Sequence, residues 1–200
     1  MLGKTIVAPA SAPGRGGVSV IRMSGANAKA IAEKMCGGLA QSWKFRKCKI
    51  KSTDGLVLDS GLVVFFESPH SYTGEDVVEF HCHGNPTIVN LIVEDVIKRG
   101  AVIAEPGEFT KTAFLNDKID LAQAESVSDL INAQSKSAVI AANSSLSGNF
   151  SSSVDLIIRG LVSTRVMIEA HIDFPEEEID SDLLENISYE LSGFSKDIDR

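Results

Sequence analysis

The sequence predicts an α+β protein: a mixed β-sheet domain with helices at the front, then an all-α segment that amounts to an incomplete bundle. Three observations predict it. Turn-forming residues crowd the front, since 13 of the 16 Gly and 5 of the 6 Pro fall in residues 1–118 of this 200-residue chain. Charge divides at the same place: 14 Lys and Arg face 12 Asp and Glu up to Lys118, net +2, whereas 5 face 15 in residues 119–200, net −10. Finally, short β-rich runs give way beyond Lys118 to apolar stripes at helical spacing. The expected domains are therefore residues 1–118 and 119–200.

Residues 5–8 and 18–23 are β-rich runs flanking the loop 10–17, whose Gly14, Gly16 and Gly17 suit a strand connection. Residues 27–35 carry Ala28, Ile31, Ala32 and Met35 at i, i+3, i+4, i+7, and Gly37-Gly38 stop that helix. Residues 43–50 set Phe45, Cys48 and Ile50 among Lys44, Arg46, Lys47 and Lys49. A half-exposed strand with a basic outer face explains this better than a nucleic-acid patch, because aromatic residues are sparse. Further strands are expected at 61–66 and 76–81. Asn85 and Pro86 cap and open a helix over 87–99, with Ile88, Leu91, Ile92 and Ile97 toward a sheet and Gly100 as its stop. A last strand is expected at 101–104.

Residues 105–125 read as a turn, a short helix, a tight turn at Asn116-Asp117 and the start of a long helix capped by Asp120. That helix runs to about residue 134, with Leu121, Ala124, Val127 and Ile131 on one face. A second helical stretch follows at 135–146, then a turn at 147–149. The stripe of Val154, Ile157, Ile158, Leu161, Val162, Ile168 and Ile172 makes another helix, ended by Phe174-Pro175. An acidic run at 176–180 and an amphipathic segment at 182–198 complete the chain. Helices of this kind need partners.

Composition excludes several classes. With 44% hydrophobic and 23% charged residues the chain has an ordinary globular balance. Three cysteines at no regular spacing, behind a start with no basic and apolar leader pattern, argue against a secreted disulfide scaffold. A cytoplasmic location is expected. No apolar stretch reaches membrane-spanning length, so no membrane association is expected.

Three loops concentrate residues that chemistry uses. In residues 13–17 the glycines let backbone N–H groups approach a ligand, with Arg15 or Arg22 for charge, although a glycine-rich hairpin turn has the same composition. Gly3-Lys4-Thr5 looks like the end of a phosphate-binding loop, but no strand and no Gly-x-x-x-x precede it. In residues 68–84, His81 and His83 share one strand face with Cys82 opposite. No thiol or carboxylate cluster at ligand spacing accompanies them, so no metal site is expected. Glu79 stands on the face of Val77 and His81, where a carboxylate needs a specific partner: an Arg of the protein, or a ligand donating two hydrogen bonds. The third loop, 105–125, is a plain turn-helix-turn in physical terms but a specific string.

Taken together, Thr5-Ile6-Val7-Ala8, Pro13-Gly14-Arg15-Gly16-Gly17-Val18, Ile21-Arg22-Met23-Ser24-Gly25, Gly74-Glu75-Asp76-Val77-Val78-Glu79, Pro106-Gly107-Glu108-Phe109-Thr110 and Ala113-Phe114-Leu115-Asn116-Asp117-Lys118 closely resemble the tRNA modification GTPase family called MnmE or TrmE. Asp173-Phe174-Pro175-Glu176-Glu177 is similar to that family's helical region. The resemblance implies an N-terminal domain like the folate-binding domain of one-carbon enzymes, which binds 5-formyltetrahydrofolate and forms a homodimer. It implies folate contacts at Arg22, Glu79 and Lys118. It further implies a flavin-dependent partner, MnmG or GidA, with which the intact protein modifies C5 of the wobble uridine of tRNA, and a GTPase domain served by potassium and magnesium.

Two departures from the family pattern are Lys111-Thr112, where Lys-Arg is common, and Gly84-Asn85 in place of Gly-Gly after the histidine. No Gly-x-x-x-x-Gly-Lys-Ser/Thr occurs, so the GTPase domain is expected to be absent from these residues, and no catalytic residue is expected in this chain; Cys36, Cys48 and Cys82 do not match the family's C-terminal cysteine motif. Two other readings stay open: a self-standing folate-dependent one-carbon transferase and a non-enzymatic dimerisation module. Residues 119–174 favour the GTPase family, because a compact transferase has no need of them.

Overall fold

The computed structural model describes residues 3–173 and 181–198, the side chains of 181–184 excepted. Among them, β1 (Ile6–Pro9), β2 (Gly16–Ser24), β3 (Arg46–Lys51), β4 (Val57–Phe66), β5 (Val77–Gly84) and β6 (Val102–Ile103) form one sheet in the order β3-β4-β5-β2-β1-β6. The sheet is mixed: β1 and β6 run parallel, and the other pairings are antiparallel. Helices α1 (Ala28–Cys36) and α2 (Pro86–Lys98) cover one face. They are followed by α3 (Glu108–Leu115), α4 (Leu121–Asn132), α5 (Lys136–Leu146), α6 (Asn149–Asp173) and α7 (Ser181–Ile198). The chain divides into two compact units, Met1–Ala124 and Glu125–Arg200.

The core of the first unit lies between the sheet and its two helices. Ile21, Met23, Val63, Phe65, Val78 and Phe80 from the strands meet Ile31, Ala32 and Met35 of α1 and Ile92, Val93 and Val96 of α2. Strand alternation decides what faces away. Because Val78, Phe80 and Cys82 of β5 point into this core, Glu79, His81 and His83 are placed on the uncovered face. Phe80 is fully buried, and cutting it to Ala would cost about 3–5 kcal/mol.

Helix ends follow their sequence signals. Asn85 accepts a 2.9 Å hydrogen bond from the Thr87 N–H with Pro86 in the first turn. Asp120 and Gln123 cap α4 reciprocally, each backbone N–H donating to the other side chain at 3.0 and 2.8 Å. Gly37, at φ 70°, ends α1.

Several expectations need correction. The buried side of α2 is Val89, Ile92, Val93 and Val96, whereas Leu91 and Ile97 are exposed. At about 100° per residue, Ile97 lies opposite Ile88, so the expected set never formed one stripe. Strand β4 begins at Val57 rather than residue 61, because β3 pairs with its polar Asp59-Ser60 segment as well. Only Val102–Ile103 form the last strand. Trp43 takes a left-handed turn conformation at φ 66°, so β3 starts at Arg46. Helix α6 begins at Asn149, inside the expected turn, and the expected stop at Phe174-Pro175 and the acidic run 176–180 lie outside the described residues.

In the second unit, α5 packs on α6 and α6 on α7. Gly160 lets α6 approach α7 closely, since a Cβ there would strike the Phe194 ring, and buried Thr164 donates to Glu190 Oε2 at 3.1 Å. Leu156, Val162, Val166 and Ile172 of α6 remain exposed, which is the incomplete packing expected. No helix of the described residues is long and apolar enough to cross a membrane.

Candidate functional site

The uncovered sheet face carries a row of polar side chains at its centre. Antiparallel pairing of β2 with β5 sets Arg22 directly opposite Glu79. Arg22 Nε and Nη2 both lie 2.8 Å from Glu79 Oε1, and His81 Nε2 lies 3.3 Å from Oε2. The side chains keep 27%, 14% and 24% of their surface for Arg22, Glu79 and His81, so the row is half-buried yet reachable. The partner that a carboxylate on this face requires is therefore Arg22, one of the two alternatives its position posed.

Aromatic rings frame the row. The Arg22 guanidinium lies 5.3 Å from the centroid of Tyr72 and 5.7 Å from that of Phe109, within reach of cation–π attraction to both. Phe45 meets the His81 ring edge-on at 5.2 Å. Tyr72 belongs to the loop between β4 and β5, Phe109 to α3, and a 2.8 Å hydrogen bond between Tyr72 Oη and Thr110 Oγ1 ties the two together.

That loop is held by its own chemistry. Ser24 Oγ bonds Thr73 Oγ1 at 2.7 Å and Glu75 Oε2 at 2.8 Å, and Asn116 Nδ2 donates to the Thr73 carbonyl at 2.7 Å. Lys118 Nζ donates to the Pro69 carbonyl at 3.0 Å. Its stem lies against Gly74, at φ 76°, where a Cβ would come within 3.1 Å of Lys118 Cγ. A side chain at this position would be strained by the left-handed turn and would press on the Lys118 stem. The structure thus joins Arg22 to Glu79 directly, whereas Lys118 is bonded to the loop that lays Tyr72 over Arg22 and makes no hydrogen bond or ion pair with Arg22 or Glu79 among the described residues.

A second pair bridges β4 and β5. The Asp59 carboxylate accepts from the His83 backbone N–H at 2.7 Å and faces His83 Nδ1 at 2.8 Å. Burial works against the Asp59 charge, but the His83 backbone, the His83 ring and the Ser60 N–H together hold its carboxyl below the ordinary value. His83 itself is 68% exposed. Among the described residues no three His, Cys, Asp or Glu side chains group as a metal site. In the second unit a groove of about 730 Å³, lined by Ser126, Asp129, Asn132, Ala138, Ala142 and Ser145, offers one carboxylate and no basic partner.

The sequence alone assigns no site role to Tyr72, Phe109, Phe45 or Asp59. Tyr72 and Phe109 do lie inside two of the loops that drew attention. Asp59 sits in the part of β4 whose polar residues hid the strand.

Fold and site together define a class: a mixed-sheet domain with one helix-covered face and one face that carries the Arg22–Glu79–His81 row, continuous in sequence with a helical segment. Comparison with known proteins narrows it. Residues 5–118 match the family described as GTP-binding protein TrmE N-terminus, and residues 121–200 match the MnmE helical domain. The protein named tRNA modification GTPase MnmE from Neisseria meningitidis serogroup B (strain ATCC BAA-335 / MC58) is 49% identical over 176 residues, covering 88% of this chain and 39% of that protein. The proteins of the same name from Hydrogenovibrio crunogenus and Legionella pneumophila (strain Corby) are also 49% identical, over 176 and 177 residues, again covering 88% of this chain, and 39% and 40% of theirs. The chain belongs to the MnmE (TrmE) family and carries its N-terminal and helical domains. It spans about two fifths of the length of these curated relatives.

Proposed function

We propose that the chain is the N-terminal portion of a tRNA modification GTPase, in which residues 1–118 bind 5-formyltetrahydrofolate and form a homodimer and residues 119–200 are the first part of the helical domain. The observation that carries this reading is the Arg22–Glu79 pair beneath Tyr72 and Phe109. Both Arg22 donors fall on Oε1, while Oε2 has a single long contact with His81, so Glu79 retains acceptor capacity. A pterin edge presents an amino group and a ring N–H that a carboxylate accepts together, and the neighbouring rings offer stacking faces. Arg22 and Lys118 supply donors for carbonyl or glutamate-tail oxygens of the ligand. A reduced folate, when bound, supplies one-carbon chemistry.

In the intact protein this portion works with the flavin-dependent partner MnmG (GidA) to modify C5 of the wobble uridine of tRNA in the cytoplasm. GTP hydrolysis, with its potassium and magnesium, belongs to a GTPase domain whose Gly-x-x-x-x-Gly-Lys-Ser/Thr motif these 200 residues do not contain. The chain alone is expected not to turn over GTP; potassium-stimulated hydrolysis well above a no-protein control would overturn that. Calorimetric titration with 5-formyltetrahydrofolate tests the site. Glu79→Ala removes two charge-assisted hydrogen bonds, each worth roughly 1.5 kcal/mol or more, so affinity should fall on the order of a hundredfold. Equal affinity for wild type and variant would sink the Glu79 role.

A further inference from the structure

Two of the three cysteines are placed together by α1 and β3. Cys36 is the last residue of α1 and Cys48 lies at the middle of β3, and their sulfur atoms are hydrogen-bonded 3.0 Å apart. Both are free thiols, and each keeps 7% of its surface exposed, at the edge strand of the sheet. Arg46 brings its guanidinium to the same place, where Nη1 donates to the carbonyls of Cys36 and Gly38. Cys82 differs: it lies two strands away on β5, its sulfur is 3.5 Å from the Ser19 carbonyl, and burial pushes its thiol up to about 11.

We propose that Cys36 and Cys48 are a modification site, a dithiol that a hydroperoxide converts to an intramolecular disulfide and that a small thiol restores. Cys48 attacks: its thiol is held below the ordinary value by the hydrogen bond with Cys36, against burial and with help from the Arg46 charge. The same shared proton, and burial, push Cys36 up, so Cys36 keeps its proton for the second step. In the first step the Cys48 thiolate attacks the peroxide: an S–O bond forms, the O–O bond breaks, the sulfur loses two electrons, and the departing oxygen is protonated. In the second, the Cys36 sulfur attacks the Cys48 sulfenic acid; an S–S bond forms, the S–O bond breaks, and the hydroxide leaves with the Cys36 proton as water. Two molecules of a small thiol reverse the change by exchange and leave as their own disulfide.

The bond would fasten the end of α1 to β3 and close the segment between them, which carries Trp43 and Phe45. Phe45 of that segment packs on His81, which in turn lies 3.3 Å from Glu79.

The test treats the folded chain with hydrogen peroxide, then alkylates, digests and weighs the peptides. The expected result is a fall from three alkylatable thiols to one, with a Cys36–Cys48 crosslinked peptide lighter by two hydrogens and lost on treatment with dithiothreitol. Cys82→Ser should leave the crosslink in place, whereas Cys36→Ser and Cys48→Ser should abolish it; circular dichroism identifies any variant that fails to fold, and the wild-type and Cys82→Ser results decide without it. The proposal is overturned if all three thiols remain alkylatable at a peroxide dose that oxidises a vicinal dithiol peptide, or if the crosslink runs through Cys82 or only between chains.

Discussion

Arg22 and Glu79 should be energetically coupled, and a double-mutant cycle measures by how much. The perturbations are Arg22→Ala, Glu79→Ala and the double variant. In the folded chain both Arg22 donors meet Glu79 Oε1 at 2.8 Å, which for fully buried groups would place the pair in the range of about 1.5–3 kcal/mol per charged hydrogen bond. Their side chains are 27% and 14% exposed, so water recovers part of that, and the two donors share one acceptor atom. A coupling of about 1–2 kcal/mol follows, above the few tenths typical of exposed pairs. Glu79→Ala alone should cost about 2 kcal/mol, because the guanidinium stays under Tyr72 and Phe109 without its carboxylate. Urea unfolding followed by circular dichroism gives the four stabilities, provided the denaturant slope is unchanged among variants. If the single effects add to within about 0.5 kcal/mol of the double, the pair is not a unit and the reasoning fails.

Acid should weaken the fold through Asp59 and Asp95. Asp95 is held below the ordinary carboxyl value because, against burial, Thr53 N–H, the Arg99 side chain and the Thr53 hydroxyl all donate to it, and Asp59 is lowered in the same manner by His83 and Ser60. A folded carboxyl below its unfolded value stabilises fully above the unfolded pKa of about 3.9 and loses that stabilisation as pH falls through the folded value. Melting temperature should therefore drop below about pH 4, and Asp95→Asn should be less stable at pH 7 with a shallower acid limb; an unaltered limb would contradict this. The basic edge strand makes a separate expectation: Lys47, Lys49 and Lys51 are exposed and carry no ion pair among the described residues. Any binding of transfer RNA by the chain should be weak and salt-sensitive, and changing these three to Ala should flatten its logarithmic salt dependence by roughly two units; an unchanged slope would assign the contact elsewhere.

Much of the sheet domain is legible from local pattern. The alternation of Val78, Phe80 and Cys82 against Glu79, His81 and His83 both locates β5 and sorts core from site. Caps at Asn85 and Asp120 read correctly because each needs only residues within one turn. The buried face of α2 is not legible from hydrophobicity alone: Ile97 is as apolar as Val96, but the helix angle puts only Val96 on the side of Ile92 and Val93. The site was half legible. Glu79 announces a partner by its face, yet that partner is fixed by the β2–β5 register, 57 residues away in sequence. Tyr72 and Phe109 come together through a loop and a helix start, and no periodicity encodes such a meeting.

The most direct test of the folate account is a crystal structure of the chain with 5-formyltetrahydrofolate bound. The account predicts the pterin edge donating to the Glu79 carboxylate, its ring beside the aromatic frame of Tyr72 and Phe109, and its carbonyl or glutamate-tail oxygens toward Arg22 and Lys118. A ligand seated elsewhere, with the Arg22–Glu79–His81 row untouched, would contradict it.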